Sequence, residues 1–142
     1  MKKKGTRNEY SKEFHEDLMN AYRKAYETSS PCETRSDIIR RAIHTPTQRF
    51  WTSERSACKA ITLISKGKSL RFMRKNTREM YEEIYRRYVR KRHLYRTKYE
   101  TIIAVCNEPA PQFYITEGSF VVIMHKIKKA WFAERQRKLL AL

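Results

Sequence analysis

Apolar residues recur along the chain at the spacing of amphipathic helices. Between residues 12 and 27 the intervals are four, three, one and three, which places one set of side chains on a single helix face: Phe14, Leu18, Ala21, Tyr22 and Ala25. Similar apolar stripes follow near residues 34–43 and 53–67, and again after residues 76, 97 and 116. The pattern predicts an all-α protein.

Short polar residues precede each of these stripes. Ser, Thr and Asn side chains accept hydrogen bonds from the free amides of a first helical turn. A negatively charged residue in that turn is stabilised by the positive end of the helix dipole. The predicted caps, with the acidic residue that follows, are Ser11, Thr34 with Asp37, Ser53 with Glu54, Asn76 with Glu79, Thr97 with Glu100, and Thr116 with Glu117. Gly67 is expected to end the third helix, whereas the last helix continues to about Leu140.

Two stretches of the chain are nearly the same, PTQRFWTSERS at 46–56 and PAPQFYITEGS at 109–119. Segments 34–67 and 97–130 align without a gap and share eight of 34 residues, where composition alone gives about two. The matches fall on caps, a proline and an aromatic pair. Such self-similarity indicates a duplicated three-helix unit with an offset of about 63 residues.

The duplication predicts how the chain is organised. Residues 1–10 form a flexible basic tail, and residues 11–142 form a single helical domain made of two related halves, about 11–72 and 73–142. Each half contains a short extended arm rich in proline and aromatic residues. Phe50 and Phe113 are expected to anchor these arms in the core, and Trp51 and Tyr114 are expected to be more open.

The chain has 32 Lys and Arg against 15 Asp and Glu, a formal net charge of +17, which indicates a polyanionic partner. Residues 65–98 hold 13 of the cations and three Glu, a net charge of +10, with tyrosines interleaved. The predicted mechanism is largely non-specific binding of a nucleic-acid backbone, DNA ahead of RNA, through a helix running from about Tyr81 to Lys98. The candidate nucleic-acid-binding positions are 72 (Phe72, beside Arg71), Arg74, Lys75, Arg86, Arg87, Arg90, Lys91, Arg92, Arg96, Lys98, Tyr88, Tyr95, Lys128 and Lys129.

Several other classes are disfavoured by the sequence. His93–Arg96, HLYR, matches the HxxR element of tyrosine recombinases, but the chain is too short for their catalytic domain and lacks a clear set of partner residues, so no enzyme and no catalytic residue is predicted. Three cysteines without CxxC spacing and four dispersed histidines predict reduced thiols, no metal site and no cofactor. No apolar run predicts a membrane span or a signal peptide, so an intracellular location is expected.

The stretch PAPQFYITEGS resembles one in small basic proteins of gut Bacteroidales and of their phages and mobile elements, where PxPxF, an aromatic residue and a Ser or Thr precede a helix. The resemblance covers mainly residues 108–127. It brings no function to transfer and implies a phage or mobile-element origin, in which a basic helical protein could bind the genome or sit inside a virion. The alternative to nucleic-acid binding is therefore an assembly component of a phage particle or nucleoprotein complex, which meets packaged DNA, an acidic protein or its own copies.

Overall fold

Six α-helices account for most of the chain in the computed structural model, which describes residues 7–141; no β-strand occurs among them. The prediction of an all-α protein is confirmed. A short 3-10 helix, Arg92–Leu94, follows the fourth helix. The helices are α1 (Arg7–Glu27), α2 (Arg35–Ile43), α3 (Glu54–Ser65), α4 (Lys75–Lys91), α5 (Lys98–Cys106) and α6 (Glu117–Leu140).

Four of the predicted caps form as the sequence indicates. Thr34 and Asp37 make a reciprocal capping box, with Asp37 N donating to Thr34 Oγ1 at 3.2 Å and Thr34 N donating to Asp37 Oδ2 at 3.0 Å. The hydroxyls of Ser53, Thr97 and Thr116 each accept the amide of the residue three positions on, at 3.1 Å. Local hydrogen bonding therefore fixes where α2, α3, α5 and α6 begin.

Two predicted helix starts are wrong. α4 begins at Lys75, and its N-cap, Arg74, makes no side-chain capping bond, so Asn76 lies inside the helix. Ser11 lies inside α1, which already begins at Arg7, so the predicted tail is helical over residues 7–10. Packing of Tyr10 on Trp51, with ring centroids 5.7 Å apart, helps to hold this extra turn. Residues 1–6 of the predicted tail lie outside the described residues.

The third helix of each half packs against the first two helices of the other half. One core cluster joins α3 to α4 and α5 through side chains that include Ala60, Ile61, Ile84, Ile102 and Val105. A second cluster joins α6 to α1 and α2 through side chains that include Leu18, Ile39, Ile43, Phe120 and Met124. Both cores therefore contain helices from both halves of the chain.

The arms that lead into α3 and α6 cross each other between the two cores. Phe50 N donates to Cys106 O at 3.0 Å, and Phe113 N donates to Ile43 O at 3.0 Å, so each arm is tied to the end of the short helix in the other half. Thr47 and Ala110 form an isolated antiparallel bridge, with a distance of 2.9 Å from Thr47 N to Ala110 O. The two hydrogen bonds are equivalent under a shift of 63 residues, since Phe50 corresponds to Phe113 and Ile43 to Cys106, and Thr47 bridges its own counterpart, Ala110. A duplication would produce this pattern, and it stays a prediction.

Two aromatic residues of the arms are buried in the core and two are half-buried at its edge. Phe50 is fully buried and Phe113 nearly so, as expected. Trp51 is half-buried and donates from Nε1 to Asp17 Oδ2 at 3.0 Å. Tyr114 stacks on Phe50 with ring centroids 6.3 Å apart, and it adopts a positive φ of 57° that side chains normally avoid. The aromatic stacking and the crossing hold this residue in a left-handed conformation.

Gly67 ends α3 as the sequence predicts. Its φ is +76°, Lys68 N donates to Leu63 O at 3.0 Å, and Gly67 N donates to Ile64 O at 2.9 Å. These two bonds form a Schellman motif, in which a residue without Cβ takes the left-handed position at low cost. The counterpart of Gly67 is Ala130, and there α6 continues to Leu140.

We predict opposite effects for alanine at two glycines. Gly67→Ala should lower the free energy of unfolding by about 1 kcal/mol, because the left-handed conformation strains a Cβ. Gly118→Ala, inside α6, should instead be neutral or raise it by up to about 1 kcal/mol, since its Cβ meets only Thr116 Oγ1 at 3.9 Å. Urea unfolding followed by circular dichroism measures both variants. Equal shifts would contradict the assigned end of α3.

Candidate nucleic-acid interface

α4 buries one face and exposes the other. Met80, Tyr81, Ile84 and Tyr88 point into the core that α4 shares with α3 and α5. The predicted helix from Tyr81 to Lys98 is wrong in its length, because α4 ends at Lys91. Thr97 caps α5, and a cap needs a residue in an extended conformation, so the chain must leave helical geometry before Lys98.

A groove runs beside the exposed face of α4, where the loop that follows α3 lies over the helix. It has a volume of about 530 Å³. A second hollow, of about 590 Å³, continues it along α4. Tyr85 and Arg86 line both, so the two form one surface, which we name the α4 groove. Its further lining residues are Ile64, Lys68, Ser69, Leu70, Arg71, Arg78, Glu82, Glu83, Val89 and Arg90.

The α4 groove is positively charged. It is lined by five cationic side chains, Lys68, Arg71, Arg78, Arg86 and Arg90, against the two carboxylates of Glu82 and Glu83. Its floor includes apolar and aromatic groups. A groove of this kind can hold an anionic backbone against cationic walls while its tyrosine packs on a sugar or a base.

The segment that follows α4 extends this positive surface. We name residues 92–98 the basic turn. Arg90, Arg92 and Arg96 are exposed, and none has an acidic partner among the side chains described by the structure, those of residues 10–141. Lys98 is exposed and donates from Nζ to Thr62 Oγ1 at 2.7 Å. Unpaired guanidinium groups are the side chains best suited to phosphate oxygens.

Arg87, a predicted site residue, is a structural residue instead. Its Nη1 donates to Pro109 O at 2.8 Å and to Glu108 Oε1 at 3.2 Å, and its Nε donates to Glu83 Oε1 at 3.3 Å. The guanidinium lies 4.8 Å from the centre of the Phe50 ring, and the side chain is only 18% exposed. Arg87 therefore joins α4 to the crossing arms and has no free face for a phosphate.

Two further predicted site residues, Lys91 and Tyr88, make contacts within the protein. Lys91 pairs with Glu108, the acidic residue that Arg87 also contacts. Tyr88 is buried in the core against Tyr85 and is not available to stack on a base. Tyr95, in contrast, is exposed in the basic turn.

Position 72 carries no cation. Phe72 is 72% exposed and can only stack, whereas the cation at this point of the loop is its neighbour Arg71. Arg74 and Lys75 are exposed at the start of α4, and Lys75 Nζ lies 4.0 Å from Glu79 Oε1. They continue the positive surface towards the first turn of the helix.

Three groove residues were missed by the sequence analysis, Lys68, Arg71 and Arg78. A signal for Arg78 was present, because residues 78, 82, 86 and 90 recur every fourth position and therefore lie on one helix face. Nothing in the sequence indicated that the loop with Lys68 and Arg71 folds over that face.

Lys128 and Lys129, the last predicted site residues, lie on a different element. Both are exposed on α6, whose first half packs against α1 and α2. The predicted residues thus belong to two surfaces, one along α4 with the basic turn and one along α6.

Glu83 organises the arginines of α4. It accepts from Arg86 Nη2 at 2.6 Å and from Arg87 Nε at 3.3 Å. Burial disfavours the charged carboxylate, but hydrogen bonds and the charges of Arg86 and Arg87 outweigh burial and lower its pKa below the usual 4.5. Arg86 remains 63% exposed despite this pairing, so its outer face can still meet an anion.

The three cysteines differ in their burial. Burial raises the pKa of the Cys106 thiol to about 12, Cys58 is half-buried and Cys32 is exposed. Among the described residues, no three or more His, Cys, Asp or Glu side chains come together as metal ligands would. Across residues 7–141, no helix combines the length and the apolar composition that a membrane span requires.

Comparison with known proteins gives no relative. No protein-family model, no curated protein and no solved structure matches the chain. The resemblance of PAPQFYITEGS to proteins of Bacteroidales and their phages therefore stays a prediction. Function has to be inferred from the charged surfaces themselves.

The pH dependence of stability should report the role of Glu83. Because its pKa is lowered on folding, the carboxylate stabilises the fold above pH 4.5, and this contribution is lost as the pH falls through the lower, folded-state pKa. Glu83→Gln should cost about 1 kcal/mol at neutral pH and almost nothing in acid.

Urea unfolding of the wild type and the variant, at neutral pH and well below pH 4.5, measures the difference. The matched control is Glu82→Gln, whose carboxylate is more exposed and lies 3.8 Å from Arg78. It should change little at either pH. A loss for Glu83→Gln that persists in acid would refute the electrostatic explanation.

Proposed function

We propose that this protein is a non-enzymatic nucleic-acid-binding protein that holds a phosphate backbone along the α4 groove and the basic turn. The observation that carries the proposal is the set of exposed cations on this surface that no carboxylate of the described residues neutralises, Arg71, Arg90, Arg92 and Arg96. A net charge of +17 supports it, since such a field attracts polyanions from a distance.

The dimensions of the surface suit a backbone. Arg78 and Arg90 are twelve residues apart on α4, which is about 18 Å at the rise of an α-helix. That length spans about five base-pair steps of a duplex. Cations along such a path contact successive phosphates and carry little sequence information, so we propose largely non-specific binding.

DNA is the proposed ligand ahead of RNA. Sequence-specific RNA modules usually display unpaired bases on a sheet or clamp them with a dedicated loop. Among the described residues no sheet exists on which bases would stack. A positive groove along a helix instead fits a regular double-stranded backbone.

A second candidate function is assembly. In this proposal the protein is a component of a phage particle or nucleoprotein complex, and its basic surface meets packaged DNA or an acidic protein. The large apolar side chains of Phe72, beside Arg71, and of Leu94, within the basic turn, are exposed, which favours a protein contact on this surface.

The salt dependence of binding should separate these functions. The test variant replaces Arg71, Arg90, Arg92 and Arg96 by Gln; it avoids Arg87, whose loss would disturb the fold. We expect tight binding of random-sequence duplex DNA by the wild type. The log–log salt slope should be smaller in magnitude by about 3.6 in the variant, since each of the four phosphate contacts contributes about −0.9. Fluorescence anisotropy at several salt concentrations measures both.

The matched control removes the same charge elsewhere, by replacing the exposed cations Lys12, Arg23, Lys24 and Arg35 of α1 and α2 by Gln. It should leave most of the slope. Equal losses in both variants would show that net charge rather than this surface drives binding. Weak binding of the wild type to duplex DNA, single-stranded DNA and RNA alike at about 100 mM salt, with self-assembly or capture by an acidic protein, would favour the assembly function.

A further inference from the structure

The second half of α6 stands apart from the rest of the protein. The first half is anchored by the buried side chains of Phe120 and Met124. Every residue from Lys128 to Leu140 is exposed, including Trp131 at 54% and Phe132 at 57%. We name residues 128–140 the exposed half of α6. It extends by about 20 Å, at the rise of an α-helix, beyond the part that packs on α1 and α2.

The exposed half of α6 has no counterpart in α3. There the chain turns back at Gly67, in a left-handed conformation that stops the helix. At the matching position in α6, Ala130 lets the helix continue. The extra helical turns are therefore not required to build either core, which leaves their side chains free for another role.

This segment can remain helical without a partner of its own. It continues an anchored helix and so needs no new nucleation, and it is rich in Ala, Lys, Arg, Gln and Leu, which favour helices. Glu134 and Lys138 are 3.6 Å apart, four positions along the helix. Arg135 lies over the ring of Trp131 at 5.3 Å, and Trp131 meets Phe132 edge-on at 5.2 Å. The cation and the aromatic rings are thus held together on the outside of the helix.

The charge of the segment indicates the kind of molecule that it binds. It carries five cations against Glu134, which is already paired with Lys138: Lys128, Lys129, Arg135, Arg137 and Lys138. A second copy of the chain would bring like charges together and be repelled. A bilayer surface is disfavoured because cations are interspersed with the aromatic residues. A polyanion, in contrast, complements the segment on all its faces.

We infer that the exposed half of α6 lies in the major groove of duplex DNA. The inference rests on the proposed function and adds a second contact to it. A helix with its side chains is about 10–12 Å across, and the major groove of B-form DNA is about 12 Å wide. Cations on opposite sides of the helix reach the phosphates of both strands, while Trp131 and Phe132 face the base edges. The exposure of all sides of the helix is what such a fit requires.

The same geometry gives a preference between nucleic acids. The major groove of A-form RNA is deep and narrow and does not admit an α-helix. The exposed half of α6 therefore contributes to the binding of duplex DNA and contributes much less to duplex RNA. The α4 groove, which holds a phosphate backbone and does not depend on the width of a helical groove, contributes to the binding of both duplexes.

The test compares the full-length wild type with a variant that replaces Lys128, Lys129, Arg135 and Arg137 by Gln. Affinity is measured on a DNA duplex and on an RNA duplex of the same sequence. Groove occupancy is measured by dimethyl sulfate, which methylates guanine N7 in the major groove and adenine N3 in the minor groove. We expect the wild type to prefer DNA and to protect guanine N7 but not adenine N3.

The variant should lose the N7 protection and at least about tenfold in DNA affinity, with a much smaller loss on RNA. The control with Lys12, Arg23, Lys24 and Arg35 replaced should retain the protection. Trp131→Ala with Phe132→Ala should lower N7 protection without changing the salt slope. Circular dichroism checks that each variant keeps its helices, which is expected since the substituted side chains are exposed.

The inference is overturned if DNA bound by the wild type keeps its N7 reactivity, or if the α6 variant behaves like the control. In either case, salt-dependent binding lost only in the α4-groove variant would leave the proposed function standing. Absence of DNA binding by the wild type would overturn both. Binding of an acidic protein through α6 with no effect on DNA would likewise reject the major-groove contact.

Discussion

The crossing of the two extended arms is the constraint on which the rest of the structure depends. Each arm is held by a backbone hydrogen bond to the short helix of the other half and by a buried phenylalanine, Phe50 or Phe113. The crossing delivers α3 to α4 and α5, and α6 to α1 and α2. Arg87 fastens the same region by binding Pro109 O while it covers the Phe50 ring. A charged side chain of α4 thus stabilises the fold.

Local chemistry explains which parts of the fold were predictable. Thr34, Ser53, Thr97 and Thr116 cap helices through bonds within three residues, so the sequence alone located those starts. The starts of α1 and α4 escaped prediction, since tertiary packing extends α1 and α4 begins without a side-chain cap. Apolar periodicity shows which face of a helix is buried but not which helix covers it. The packing of α3 on α4 and α5, and of α6 on α1 and α2, could therefore not be predicted from the sequence.

The candidate surface was predictable in place but not in detail. The density of cations in residues 65–98 correctly marks where positive side chains are concentrated. It does not distinguish the cations that face solvent from those that form ion pairs within the protein. Arg87 and Lys91 belong to the second group, because both pair with Glu108, which lies in the crossing arm after α5. Lys68 and Arg71 join the groove only through the fold of a loop. A count of charges along the sequence locates a basic surface. Only the three-dimensional contacts show which of its cations have no carboxylate partner.

The exchange of third helices also has a consequence for how the chain folds during synthesis. α1 and α2 are translated before α6, yet the ring of Tyr22 in α1 packs on the ring of Phe120 in α6. The core around α1 and α2 therefore stays open on the ribosome until α6 has been translated, whereas α3, α4 and α5 can close earlier. Long-range contacts of this kind slow folding relative to helical bundles built from neighbouring helices, and they leave apolar surface exposed in the meantime. α1 and α2 are translated before α3, α4 and α5, yet the core that α1 and α2 share with α6 is completed later.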